Sequence, residues 1–240
     1  MVIKRTFSLI QSIESAVVDV PGWTPLDQLF SLALLALSTR NIDGDFLEVG
    51  SWCGRSSIAI GIAASMMDNT CLSCIDLFPT KEDWYQNDDG SYSFSVKINS
   101  QRIDAYNLQT VWREPYEKSI LPVYEKWHGT LDAFKHFISE NNLQSYVKPH
   151  KTNLSTFLTQ EKDRKIKFAF IDGDHSYEAV SSDINCIKQC LVPGAWICFD
   201  DAFSFYKGVD RAITDWIINS KDFSYSQQLT RKLFVAQYRL

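Results

Sequence analysis

Short apolar runs alternate with stretches of helical period along most of this chain, and that alternation leaves few architectures open. Strand-like runs stand at 45–50 (DFLEVG), 71–78 (CLSCIDLF), 146–152 (YVKPHKT), 165–172 (KIKFAFID), 194–200 (GAWICFD) and 232–240 (KLFVAQYRL). Helical patterns fill the gaps: 24–40, with Thr24 as N-cap and Pro25 in the first turn where its missing N–H costs nothing; 56–67; a short helix after 152; 177–191; and 208–219. Near-continuous apolar strands separated by helices are buried on both faces, which predicts a doubly wound α/β fold with a mostly parallel sheet. The 240 residues, 45% of them hydrophobic, suit one domain over 1–240, opening with a helical region at 1–43.

One segment breaks the rhythm. About 70 residues separate Asp76 from Tyr146, where a simple crossover needs far fewer. The stretch 79–128 reads as an insertion after the second strand, rich in aromatics and acids, and a helical pattern returns at 129–143. A long insertion at the rim of an α/β sheet is more often a lid over a binding site than a linker. Trp84, Tyr85, Tyr92 and Phe94 would either stack on a ligand ring there or simply pack the insertion.

The net charge of −5 provides no field to gather a polyanion, so nucleic acid is not an expected partner. The longest lipophilic stretch, 29–38, is too short to span a bilayer, and Gln11, Glu14 and Asp19 interrupt any signal-peptide core, so a cytoplasmic protein without a membrane partner is expected. Six cysteines are too few for a disulfide scaffold. Cys71 and Cys74 fall in a predicted strand rather than a redox loop, and buried free thiols are the expected state.

Chemistry concentrates at predicted strand ends. The turn EVGSWCGRSS leaves bare backbone at Gly50 and Gly54, where a ligand could approach the following helix start, although the spacing is not G-x-G-x-x-G. Asp76 ends the second strand and is suited to accept hydrogen bonds from two ribose hydroxyls. Taken alone, the glycines could equally mark a tight turn packing helix on strand. Asp172, Asp174 and His175 follow the fourth strand, and Asp200 and Asp201 the fifth. Parallel strands end on one rim, so these acids converge, and gathered carboxylates repel unless a hard cation such as Mg²⁺ or bound protons compensate. Either pair alone could be a helix cap or a solvated turn.

The combination FLEVGSWCGRSS, CIDLF, FAFIDGDHSYEAVSSDI and PGAWICFDD resembles a class I S-adenosylmethionine-dependent methyltransferase. It is similar in particular to the group that includes the metal-dependent sugar O-methyltransferases of macrolide biosynthesis, and more distantly to catechol O-methyltransferase. The resemblance covers about 25–240 and implies a seven-stranded, mostly parallel Rossmann-like sheet. It implies that Glu48, Gly50, Ser51 and Gly54 hold the methionine end of the cofactor, Asp76 its ribose, and Asn153 and Ser155 its adenine. It implies further that Asp172, Asp200 and Asp201 bind Mg²⁺, that His175 is the general base, and that Asp172 acts with it. The loop TNLSTF lacks the acidic residue many relatives carry there, and the insertion matches no known pattern.

The resulting expectation is metal-assisted methyl transfer to a hydroxyl of a small molecule or sugar moiety, as in secondary metabolism. A nicotinamide-dependent oxidoreductase and a non-catalytic cofactor-binding module are the alternatives. The apolar helix at 24–40 and the aromatic insertion also predict a homo-oligomer.

Overall fold

The computed structural model describes residues 2–161 and 163–239. In chain order the elements are α1 (Val2–Val17), α2 (Leu26–Ser38), β1 (Asp45–Val49), α3 (Arg55–Ser65), β2 (Leu72–Asp76), β3 (Trp84–Gln86), β4 (Tyr92–Ile98) and β5 (Gln101–Ala105). A helical stretch follows, α4 (Arg113–Pro115) running through a π-helical turn into α5 (Leu121–Lys126). Then come α6 (Thr130–Glu140), β6 (Val147–Lys151), α7 (Leu154–Gln160), β7 (Ile166–Ile171), α8 (Tyr177–Lys188), β8 (Leu191–Phe199), α9 (Lys207–Ile213), β9 (Phe223–Gln228) and β10 (Phe234–Tyr238).

The main sheet has seven strands in the order β6-β2-β1-β7-β8-β10-β9, with β10 antiparallel to both neighbours and the others parallel. The expected doubly wound fold is therefore present. The strand alternation sorts two cores. Phe46, Cys74, Phe168, Phe170 and Cys198 face one layer with α1, α2, α3 and α6, while Leu47, Val49, Ile75, Ala169, Ile171 and Phe199 face the other with α7, α8 and α9. The same period places Glu48 on the face of Phe46, under α3.

Several boundaries move. Helix α2 begins at Leu26 with Pro25 in the N-cap position, and Thr24 makes no cap; it is buried, its carbonyl accepting from Arg55 Nε at 3.0 Å. The final strand is half of a hairpin whose other half, β9, carries a polar run (SYSQQ) that hides its strand character. The helix expected over 208–219 is α9 continued by a π-helical turn, Thr214–Ile218.

The insertion is a folded body. Strands β3, β4 and β5 form an antiparallel sheet with a small core of Phe94, Val96, Ile98 and Ala105. Trp84 packs on Phe94 and Tyr116 and donates to Tyr124 Oη at 2.8 Å, and Tyr92 stacks on Tyr116 at 3.9 Å. Of the four aromatics singled out above, Trp84, Tyr92 and Phe94 are thus internal to the insertion, and Tyr85 donates to Asn107 at its surface. Helix α2 packs against α1 and α3, and Leu34 on it and Leu108 and Trp112 in the insertion remain exposed. All six cysteines are free thiols, and among the described residues no helix is long and apolar enough to cross a membrane.

Candidate active site

The strand order reverses between β1 and β7, and the crevice outside the carboxyl ends of strands at such a point is where open α/β sheets bind ligands. Gly50 sits there with φ +85°, and a Cβ on it would lie 1.9 Å from the Asp172 carbonyl oxygen. What lies against the bare backbone is therefore the end of β7. Gly54, at φ +91°, caps α3 and would press a Cβ against Phe134 of α6. Both glycines are explained by packing, and packing brings the turn and the acids together.

On the β1 side, Glu48 is completely buried. One of its oxygens accepts from Ser51 Oγ at 2.7 Å and from Ser57 Oγ, while Oε1 has no partner. Burial pushes its carboxyl up, with the serine hydroxyls opposing. Asp76 accepts from the Phe78 N–H at 2.6 Å and the Trp52 N–H at 2.8 Å, and burial raises its carboxyl despite these bonds. A carboxylate offers about four lone-pair directions, so these two bonds do not exhaust it. An orphaned buried acid and a half-used one, on adjacent strands, fit the ammonium and ribose ends of S-adenosylmethionine.

At β6, Asn153 spends its side-chain oxygen on capping α7 through the Thr156 N–H at 2.8 Å, and Ser155 is exposed on that helix. Thr152 N–H donates to the Asp76 carbonyl at 3.1 Å, so this loop adjoins the ribose carboxylate.

On the β7 and β8 side, Asp172, His175 and Asp201 bring one ligand atom each within 4.8 Å of one another. His175 Nε2 is 3.3 Å from Asp201 Oδ2 without hydrogen-bond alignment, and both ring nitrogens are buried without partners. Burial holds the imidazole below its usual pKa and the Asp172 carboxyl well above its own, the latter reinforced by the Asp200 charge. Two carboxylates and a neutral imidazole fit a divalent cation. Asp200 lies beside them with partners of its own: Gln28 Nε2 donates to it at 2.5 Å and Lys232 Nζ at 2.7 Å, and its side chain is 3% exposed. Asp174 supports the loop, accepting from the Ser176 N–H at 2.8 Å and the Tyr106 N–H at 3.3 Å, while Ser176 itself caps α8.

Four residues enter the site that the sequence reading did not single out. Tyr206 stacks on His175 at 4.0 Å, and Tyr106, from the insertion, meets the ring edge-on at 6.2 Å. Gln28 and Lys232 hold Asp200. Only Gln28 left a signal, a polar side chain on the buried stripe of an otherwise apolar helix.

Known proteins share this fold. Residues 47–202 match the model of a family described as "Methyltransferase domain". Among solved structures, the O-methyltransferase NovP aligns over 98% of each chain at 12% identity with a TM-score of 0.61. The O-methyltransferase from Bacillus cereus in complex with SAH aligns over 98% of this chain and 90% of its own, at 12% identity and a TM-score of 0.54. CalS11, a TDP-rhamnose 3'-O-methyltransferase of calicheamicin biosynthesis, aligns over 96% and 93%, at 12% identity and 0.56. The fold is thus the Rossmann-like fold of the methyltransferases. The chain belongs to the methyltransferase domain family, which removes the oxidoreductase alternative.

Proposed function

We propose that this enzyme transfers the methyl group of S-adenosylmethionine to a hydroxyl oxygen of a small molecule or sugar, with Mg²⁺ assisting. The observation that carries this reading is the contact between Gly50 and Asp172, which sets the donor-side acids one strand away from the acceptor-side cluster. The activity of CalS11, on the hydroxyl of a nucleotide-linked sugar, supports a glycoside acceptor.

Each residue then has a task. Glu48 and Ser51 receive the ammonium end of the donor, Asp76 the ribose diol, and the Asn153–Ser155 loop lies beside the adenine. The bound donor supplies an already activated methyl group, and a divalent ion lowers the pKa of a hydroxyl near it. Asp172 and Asp201, with Asp200 beside them, would hold that ion, since Mg²⁺ is bound through carboxylate oxygens. His175, kept neutral by burial, accepts the acceptor's proton on a ring nitrogen as the methyl bond passes from sulfur to oxygen. Tyr106 and Tyr206 flank the imidazole, orient it and exclude water.

The test is transfer from isotope-labelled S-adenosylmethionine onto a panel of hydroxylated metabolites and glycosides. EDTA should suppress turnover and Mg²⁺ restore it, with donor affinity by calorimetry little changed. Full turnover by enzyme shown metal-free by elemental analysis would remove the metal, and absence of donor binding would remove the reading altogether.

A further inference from the structure

The side chain that touches two of the three clustered aspartates comes from the far end of the chain. Lys232, in the turn between β9 and β10, places Nζ 2.7 Å from Asp200 Oδ2 and 3.2 Å from Asp201 Oδ1, with its side chain 19% exposed. Its own carbonyl accepts from the Ala202 N–H at 2.9 Å, so main chain and side chain together clip the loop after β8. Asp200 accepts Gln28 on its other oxygen, so each of its oxygens already has a donor. Beside these satisfied groups lie unsatisfied ones: both His175 nitrogens and Oε1 of the fully buried Gln28 have no partner.

We propose that Lys232 is a resident cation of the cluster that limits how tightly it holds a divalent ion. By pairing with Asp200 and one oxygen of Asp201, it competes with the ion for these carboxylates. Without Lys232 the same carboxylates would meet an ion with no competing cation, so the lysine lowers the metal affinity of the cluster. This rests on the assignment of the cluster to the acceptor side, yet it concerns metal binding alone.

Mn²⁺ titration by calorimetry, without donor or acceptor, separates the two. Lys232→Met should bind Mn²⁺ at least ten-fold more tightly than the wild type, about 1.4 kcal/mol. Its thermal midpoint should fall in EDTA and recover when Mn²⁺ is added. Lys232→Arg should keep wild-type affinity, and Asp200→Asn added to Lys232→Met should cancel the gain. Should Lys232→Met not fold, Lys232→Gln takes its place and should show the same gain. Equal or weaker Mn²⁺ binding by the folded variant overturns the proposal; loss of donor binding would bear on the methyl-transfer reading only.

Discussion

Replacing Gly50 by alanine asks whether this glycine serves the fold or a ligand. The new Cβ would lie 1.9 Å from the Asp172 carbonyl oxygen, 2.4 Å from its carbon and 2.7 Å from the Gly173 nitrogen, all backbone atoms. They cannot swing aside, because the Asp172 N–H is tied to the Val49 carbonyl at 2.8 Å and the Gly50 N–H to the Ile75 carbonyl at 2.9 Å. Relief requires spreading the ends of β1 and β7. The left-handed backbone costs about 1–2 kcal/mol for a residue with a Cβ, the overpacking about 1–3, and a lost sheet hydrogen bond about 1. The total, roughly 3–6 kcal/mol, is a large part of the ~5–15 kcal/mol that holds a domain folded. Gly90 supplies the control. Its φ is +81°, but its Cβ would meet only Gln86 Nε2, at 4.0 Å, so alanine there bears the conformational cost alone. Urea denaturation of both variants should place Gly50→Ala at least 2 kcal/mol below Gly90→Ala, and its Tm should fall by roughly 2–4 °C per kcal/mol. A difference below 1 kcal/mol would show that the strand ends are not in the tight contact on which the site's assembly depends.

Two further outcomes follow from the carboxylates. Asp76→Asn keeps the side chain's shape but sets an amide N–H against the backbone N–H of Trp52 or Phe78 and removes the charge, so S-adenosylmethionine affinity should fall at least ten-fold, given about 1.5–3 kcal/mol for each charge-assisted bond. Calorimetry showing unchanged affinity would exclude it as the ribose ligand. Asp183, on α8, is pushed up to about 7 by burial, with Asp174 adding to the effect. The folded state therefore holds this proton more tightly than the unfolded chain, and its stability declines as pH rises from about 4 to about 7. Asp183→Asn should be more stable than the wild type at pH 8, by roughly 1–3 kcal/mol after allowing for its partial exposure, and indistinguishable at pH 4. A gain of equal size at both values would refute the titration.

The chain's own order of residues determined the α/β layering, because a strand buried on both faces must be mostly apolar, and β1, β2 and β7 are. It also placed Asp76, Asp172 and Asp201 at strand ends, since parallel strands share one rim. The alternation in β4, with Phe94, Val96 and Ile98 buried, was likewise written in the chain, but the surrounding aromatics and acids obscured it as a strand signal. Tertiary structure alone decided the partners of those acids. Whether Asp200 binds an ion or a lysine depends on where residues 28 and 232 arrive after the chain has crossed the sheet, and no local pattern encodes contacts at separations of 172 and 32 residues. The same holds for His175: the sequence marked it as a base, but its setting between Tyr106 and Tyr206, from segments on either side of it in sequence, exists only once the insertion and the loop after β8 have closed on the same strand end.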